Sequence, residues 1–436
     1  MWFDNTVFYQ IYTLNMVGAS TKENDGEVHE HRILKIKDWS DYMQEMGFKG
    51  VYFNPLFSSG THGYDTIDYQ RLDERLGTNE DFKAVVKDLH DHDIKVVVDG
   101  VFNHVGRHFF AFEDAKVNRE NSRYRDWFRI DFNGNSDYND GFWYEGWEGH
   151  YELVKLNLDN QEVQDYIKDS IRYWIEYFDI DGIRLDVAYL LPRWFMAMIS
   201  DYARSLKPDF FMLGEVIGDN ADYMYSEGHL NAITDYPCYK SIWSAFNSLN
   251  LFEIAHTLKR SRGEMYKNRL LWTFLDNHDV SRIASTLTDP DKLPIAYGLL
   301  FAMPGAPCVY YGSEWGIEGE KVPGQSDDAL RPALEKPEPN ELTETIKAMI
   351  EARNIHSALR NGSFETLVLN NKQWLFERKN ETERVIVAIN LDDAPYVAHF
   401  DAKCGQAVDL ITGKLHDFGG GSELAPKSVA YWLCER

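Results

Sequence analysis

Cysteine is scarce: Cys238, Cys308, Cys404 and Cys434 are the only four in 436 residues. They lie far apart and lack the short spacing of a metal clip, which excludes a disulfide framework or a zinc ribbon. They read as free thiols of a cytoplasmic protein. Positive charge is also short, with 45 Lys+Arg against 70 Asp+Glu and a formal net charge of -25. Such a surface repels phosphate backbones and anionic lipids, so no nucleic acid and no membrane surface is expected as a partner. A neutral ligand meets no such barrier. Long apolar runs are missing as well. The nearest, Leu293 to Tyr311, is broken by Pro304, Gly305 and Pro307, so it reads as a buried helix, a turn and a core strand rather than a membrane span. The start, Met1 to Asn5, has neither a basic stretch nor an apolar one, so no signal peptide is visible and a cytoplasmic location is expected. No internal repeat or low-complexity tract occurs.

What is present is 44% hydrophobic and 14% aromatic residues, in a chain too long for one ordinary core. Short β-rich apolar runs alternate with longer amphipathic ones. Strands are predicted at Val7–Tyr12, Gly50–Asn54, Lys95–Asp99, Gly182–Asp186, Phe211–Glu215, Ala232–Thr234, Leu271–Phe274 and Cys308–Tyr311. Helical patterns lie between them, near Asp38–Met46, Glu80–Asp91, Gln161–Phe178, Pro192–Ser205, Ser241–Asn247 and Pro294–Phe301. Eight strands separated by helices predict an α/β fold, a parallel (β/α)8 TIM barrel over residues 1–104 and 160–360. A doubly wound open sheet is the alternative. It is disfavoured because polar candidates recur at many strand ends, where a barrel gathers them into one mouth. The segment 105–159 is too long for a plain connection and reads as an inserted subdomain after the third strand. From residue 361 to 436 the pattern turns to short alternating strands, a C-terminal antiparallel β domain.

Arg184 and Asp186, two apart in Gly182-Ile-Arg-Leu-Asp186, face the same way in a strand. A guanidinium there favours the ionised state of its neighbour, which a carboxylate nucleophile must have. Glu215 ends another predicted strand and follows the apolar Phe211–Leu213, where desolvation raises a carboxyl pKa. Asp279 closes Phe274-Leu-Asp-Asn-His-Asp279. Three acids converging on one barrel mouth are a glycosidase arrangement.

Four motifs carry a resemblance: Asp99-Gly-Val-Phe-Asn-His104, Gly182-Ile-Arg-Leu-Asp186, Gly214-Glu215-Val216 and Phe274-Leu-Asp-Asn-His-Asp279. In type, order and placement at strand ends they resemble those of the α-amylase family, glycoside hydrolase family 13, over essentially the whole chain. The resemblance implies Asp186 as nucleophile, Glu215 as general acid/base and Asp279 as the third acid, which stabilises an oxocarbenium-like transition state. It implies that His104 and His278 bond the innermost sugar, and that His62-Gly-Tyr64-Asp65 forms the innermost-subsite loop with Tyr64 against the sugar ring. Asp65 is expected to pair with Arg331 and close the non-reducing end of the cleft. Asp99 is expected to hold the upper loops.

Many amylases carry Lys-His just after the nucleophile motif, the histidine carbonyl binding calcium; here Ala188-Tyr189 stands instead. Asp131 to Asp137 is rich in oxygen donors but lacks the glycine and glutamate of an EF-hand loop, so it reads as turn chemistry. No metal ligand is assigned, no cofactor is required, and calcium stays unsupported. Lys155-Leu-Asn157 and Asn231-Ala-Ile-Thr-Asp-Tyr-Pro237 resemble the neopullulanase, cyclomaltodextrinase and maltogenic amylase group. The expected function is a retaining hydrolase of α-1,4 bonds, with α-1,6 bonds as a second target, in maltooligosaccharides, cyclodextrins or related α-glucans. An oligosaccharide α-glucosidase, a transglycosylase and an endo-acting α-amylase on starch are the alternatives, and a non-catalytic binding subunit is opposed by the presence of all three acids. In the inserted subdomain Phe142, Trp143, Tyr144 and Trp147 are candidates both for core and for sugar stacking. The oligomeric state is left open.

Overall fold

Alternation along the strands sets the architecture. In a computed structural model, which describes every residue but Asp219, Asn268, Glu435 and Arg436, eight parallel strands close into a barrel. They are β1 (Phe8–Ile11), β2 (Gly50–Phe53), β3 (Lys95–Gly100), β4 (Gly182–Leu185), β5 (Phe211–Gly214), β6 (Ala232–Thr234), β7 (Leu270–Phe274) and β8 (Ala306–Tyr310). Each pairs with its sequence neighbour, and β8 closes on β1 through Phe8 opposite Cys308. Tyr9, Val51, Val98, Ile183 and Met212 belong to the large core between barrel and helices. Phe8, Tyr52, Val97, Phe211, Trp272 and Phe274 fill the barrel itself. Period-two alternation thus builds two apolar layers from one set of strands.

The surrounding helices form where sequence supplies both an apolar stripe and a cap. Helix α1 (Asn79–Asp91) starts on a capping box in which Thr78 and Asp81 satisfy each other's backbone N–H. Helix α2 (Gln161–Tyr173) starts on Asn160 and buries Val163, Ile167, Ser170 and Ile171, the spacing of one face. Its predicted continuation to Phe178 is present as a π-turn, Trp174–Phe178, ended by Asp179 in the left-handed region. Helix α3 (Tyr236–Ser248) begins five residues before the predicted Ser241, because Asp235 caps it and Pro237 sits in its first turn.

The run that could have suggested a membrane segment becomes α4 (Leu293–Ala302), a turn, and β8. Nearly all of α4 is buried, because barrel and C-terminal domain enclose it. Gly298 makes this possible: a Cβ there would stand 2.7 Å from Val429 of the last strand. Among the described residues no helix is long and apolar enough to cross a membrane.

Between β3 and β4 the chain forms a three-stranded antiparallel sheet of His104–Gly106, His150–Lys155 and Gly146–Trp147, with a helix at Phe110–Asn118. After residue 362 a six-stranded antiparallel sheet is ordered Ser363–Leu369, Gln373–Lys379, Arg384–Asn390, Ser428–Cys434, Gln406–Asp409, Leu415–Asp417.

Candidate active site

The centre of the barrel mouth is one guanidinium. Arg184 stands opposite Asp99 in the β4–β3 register, so both side chains point inward from adjacent strands. Its Nη1 donates to Asp99 Oδ1 at 2.8 Å and to Asp186 Oδ1 at 2.6 Å. Its Nη2 reaches Glu215 Oε1 at 2.8 Å. Asp186 and Glu215 each fall one residue past a strand, at the ends of β4 and β5. All four side chains are buried.

Three carboxylates on one cation leave an excess of negative charge in a poorly solvated place. Burial is the main influence on each and pushes Asp99, Asp186 and Glu215 upward, while Arg184 pulls each down. Arg184 does favour the ionised Asp186, as the sequence suggests, but its charge is divided three ways and burial outweighs its pull. Like charges at this range oppose one another's ionisation, so the set holds a proton more tightly than three separate carboxylates would. Asp99 has the most donors, with Tyr52 and Tyr64 hydroxyls at 2.8 and 3.1 Å added to Arg184. Its carboxylate thus holds Arg184 in the barrel and, through the Tyr64 hydroxyl, the loop after β2, so the expected task of holding an upper loop is joined by one at the centre of the site.

Asp279 lies in the loop after β7 with a third of its side chain exposed. Burial raises its carboxyl, but His278, Arg331, Arg184 and Lys321 together reverse that and hold it below the ordinary range. His278 lies against Gln10 Nε2 (3.0 Å), the Tyr64 hydroxyl and Asp279 Oδ2 (3.1 Å). Burial lowers its pKa to about 3, so the ring is neutral. Tyr64 stacks on it with planes 11° apart.

Burial likewise lowers His104 to about 3. Asn103 Nδ2 approaches its Nδ1 at 3.1 Å, leaving the proton on Nε2. That atom has no hydrogen-bond partner of ordinary geometry, and neither has Trp147 Nε1 beside it; the two rings are 5.9 Å apart. The Tyr64 backbone gives His104 a weak partner, and the buried Trp147 Nε1 has none, so an oxygen-rich ligand would improve on the bonding of both.

His62 is the more exposed of the two loop residues and accepts from Tyr64 N. Asp65 does not meet Arg331. It accepts instead from Thr61 N and Oγ1 at 3.1 and 2.9 Å, closing its own turn. Arg331 donates to the His278 carbonyl and lies near Asp279 Oδ1 (3.5 Å) and Asp327 Oδ2 (3.2 Å), with its guanidinium 4.1 Å over the Tyr12 ring. Sequence could not show that a nearer acid in its own loop and an aromatic face would claim it.

The four subdomain aromatics divide. Phe142 and Tyr144 are core, Trp143 is exposed, and Trp147 faces His104. Gln10 and Asn54 were missed by the sequence reading. They bond each other at 2.8 Å and both reach His278; a polar residue at an inward position of an otherwise apolar strand was the available signal. Arg282, fully buried, also escaped notice. It donates twice to the Leu330 carbonyl and once to that of Tyr311, fixing the segment that presents Arg331. Asp131 accepts from Asn133 N in a turn, as read. Among the described residues no group of His, Cys, Asp and Glu is arranged to hold a metal ion.

Comparison with known proteins shows what the chain resembles as a whole. The catalytic domain of α-amylase, as a family description, matches residues 32–361. The intracellular maltogenic amylase of Bacillus subtilis (strain 168) is 32% identical over 341 residues, 74% of this chain and 57% of that one. The cyclomaltodextrinase of Thermoanaerobacter pseudethanolicus is 32% identical over 410 residues, 90% of this chain and 69% of that one. This chain therefore spans between 57% and 69% of the length of those two relatives. The crystal structure of an Anoxybacillus α-amylase superposes with a TM-score of 0.83 at 29% identity, covering 100% of this chain and 98% of that one.

Proposed function

The chain belongs to the α-amylase family of glycoside hydrolases, and from that premise we propose that it hydrolyses α-1,4 bonds, and α-1,6 bonds where the cleft admits a branch, in short α-glucans with retention of anomeric configuration. One observation carries the reading: Asp186 and Glu215 sit on neighbouring nitrogens of a single guanidinium. Retention requires two carboxyl groups about 5–5.5 Å apart, whereas inversion needs about 6.5–9.5 Å to admit a water. Two acids spanned by one guanidinium fork suit the closer arrangement.

In this reading Asp186 attacks the anomeric carbon while Glu215 protonates the departing glycosidic oxygen. Glu215 then deprotonates the water that releases the sugar from Asp186. Asp279, ionised and at the rim, faces the ring whose positive charge develops in the transition state. Tyr64 and His278 supply the wall against that ring, and His104 and Trp147 supply donors for its hydroxyls. Acid, base and nucleophile are all side chains, so the reaction needs no cofactor.

Short substrates are favoured by the inserted subdomain, which brings Trp147 against His104 and so crowds the cleft close to the acids. Cyclodextrins and maltooligosaccharides fit this better than granular starch, and the names of the two curated relatives point the same way. A relative described as intracellular supports a cytoplasmic role. The alternative, an endo-acting α-amylase, is favoured by the Anoxybacillus likeness, which extends over that whole chain. Proton NMR during early hydrolysis of maltohexaose tests the mechanism. The α-anomer should appear first, and an initial β-anomer would overturn it.

A further inference from the structure

At the opposite end of the barrel from the acids, a cleft of about 1370 Å³ opens between the strand starts and the C-terminal sheet. Its charge is the reverse of the molecule's. Acids outnumber cations 70 to 45 over the chain, yet the cleft is lined by Lys259, Arg262, Lys267, Arg269, Arg360 and Arg378 against only Asp4 and Glu365. Asp4 is already taken by the terminal ammonium at 2.7 Å.

The guanidinium groups at its floor are short of counter-ions. Arg378, fully buried, bonds carbonyls of Ala302, Arg360, Gly362 and Ser363. Arg353 behind it bonds carbonyls of Phe301, Met303, Leu359 and Gly305. Among the described residues no carboxylate lies in ion-pair range of Arg353, Arg360 or Arg378, while Arg262 has Asp235 at 3.0 Å and Arg269 has Asp222 at 3.3 Å. Among the described residues Arg262 Nε and Nη1, and Arg360 Nε, are buried without a hydrogen-bond partner. Burial first, and then mutual repulsion among these arginines, lowers the pKa of Arg353 to about 10 and holds that of Arg378 well below its ordinary value. Carbonyl bonds can explain why arginines staple the loops here. They do not neutralise the charge, which in a poorly solvated place is costly unless an anion answers it.

We propose that this rear cleft binds a phosphate-bearing small molecule, separately from the catalytic mouth. The phosphate answers the basic floor. The body of the molecule has Phe252, Leu258 and Phe364 to lie against, in a space far larger than a free ion fills. Because the cleft lies at the strand starts and the acids at the strand ends, occupancy does not compete with glucan. It does bridge the barrel and the C-terminal sheet, since Arg262 and Arg269 come from the first and Arg378 from the second, with Arg360 on the short helix (Ser357–Asn361) that leads into the sheet.

Calorimetric titration and thermal melting of the full chain in phosphate-free buffer test this, with inorganic phosphate, glucose 6-phosphate and glucose as probes and sodium chloride matching ionic strength. Glucose 6-phosphate should bind once per chain and raise Tm beyond the chloride control, with maltotriose unable to displace it. Equal affinity for inorganic phosphate would place recognition in the phosphate alone; tighter binding of the ester would give the apolar wall a share, and either supports the proposal. Lys259→Glu combined with Lys267→Glu alters two exposed side chains. It should weaken binding at least tenfold while leaving unliganded Tm and maltohexaose hydrolysis unchanged. A Tm rise no greater than that from chloride, displacement by maltotriose, or full affinity in the double variant would each overturn it.

Discussion

The backbone N–H of Val187 donates to Glu215 Oε2 at 2.9 Å, so the residue after one strand-end acid fixes the orientation of the other. Val187 has φ 41° and ψ 45°, a left-handed conformation that a β-branched residue adopts only under compulsion. That turn aims the N–H at Glu215, and the spacing of Asp186 and Glu215 is thereby written into backbone geometry as well as into Arg184.

Exchanging the acids singly should separate their roles. Asp186→Asn and Glu215→Gln are nearly isosteric and both should fold. Each should lower kcat on maltooligosaccharides by about 10²–10⁴ or more. On an aryl glycoside with a good leaving group, Glu215→Gln should recover a substantial part of its rate and Asp186→Asn should not. Equal residual rates on that substrate would contradict the assignment.

Asp99→Asn removes one negative charge from the three around Arg184. Asp99 raises Glu215 by repulsion, so its neutralisation makes ionisation of Glu215 easier. The alkaline limb of kcat/KM reports loss of the acid's proton, and it should move to lower pH in the variant. A shift to higher pH would show that Asp99 acts on Arg184 more than on Glu215.

Glu314 offers a test of stability away from the site. It is fully buried, accepts from the hydroxyls of Tyr9 and Tyr42 at 2.7 and 2.9 Å, and burial raises its pKa to about 7. A raised carboxyl keeps its proton in the fold while the unfolded chain has released it, so this contribution is present below the unfolded pKa and is lost as pH rises toward 7. Glu314→Gln lacks that loss. Denaturation at pH 4 and pH 8 should show the variant gaining on the parent by up to about 3 kcal/mol at the higher pH; a difference independent of pH would mean that Glu314 does not titrate in this range.

Direct competition measures the preference for short substrates. Maltohexaose and soluble starch, supplied at equal concentrations of glycosidic bonds, should be consumed in favour of maltohexaose through kcat/KM. Faster consumption of starch with random internal cutting would mark an endo-acting α-amylase.

Asp186 and Glu215 were legible as strand-end acids because each closes an apolar run, whereas Asp279 was legible only through the motif it ends, in the loop after β7. Barrel closure was legible too, since strand alternation builds both layers. Partners across loops were not. Asp65 and Arg331 carry complementary charges, yet each found a nearer neighbour, Thr61 and Asp327, that only the folded turns bring into reach. Gln10 and Asn54 were hidden by their amide chemistry, which carries no charge to attract notice. The basic cleft was hidden by distance: Arg262 and Arg378 are remote in sequence and meet only when the C-terminal sheet docks.

Under the proposed mechanism, the shared claim of three carboxylates on Arg184 would also govern timing. Once Asp186 is esterified by the sugar it no longer carries a charge, and the guanidinium's attention passes to Asp99 and Glu215. Glu215 loses a repelling neighbour at the same moment. Its affinity for a proton therefore drops just after it has given one away, and it becomes a competent base for the incoming water. When hydrolysis restores the Asp186 carboxylate, repulsion returns and Glu215 recharges as an acid. In that mechanism the fixed arrangement of one cation among three anions would act as a clock for the catalytic cycle, set by the covalent state of a single aspartate and requiring no movement of the protein.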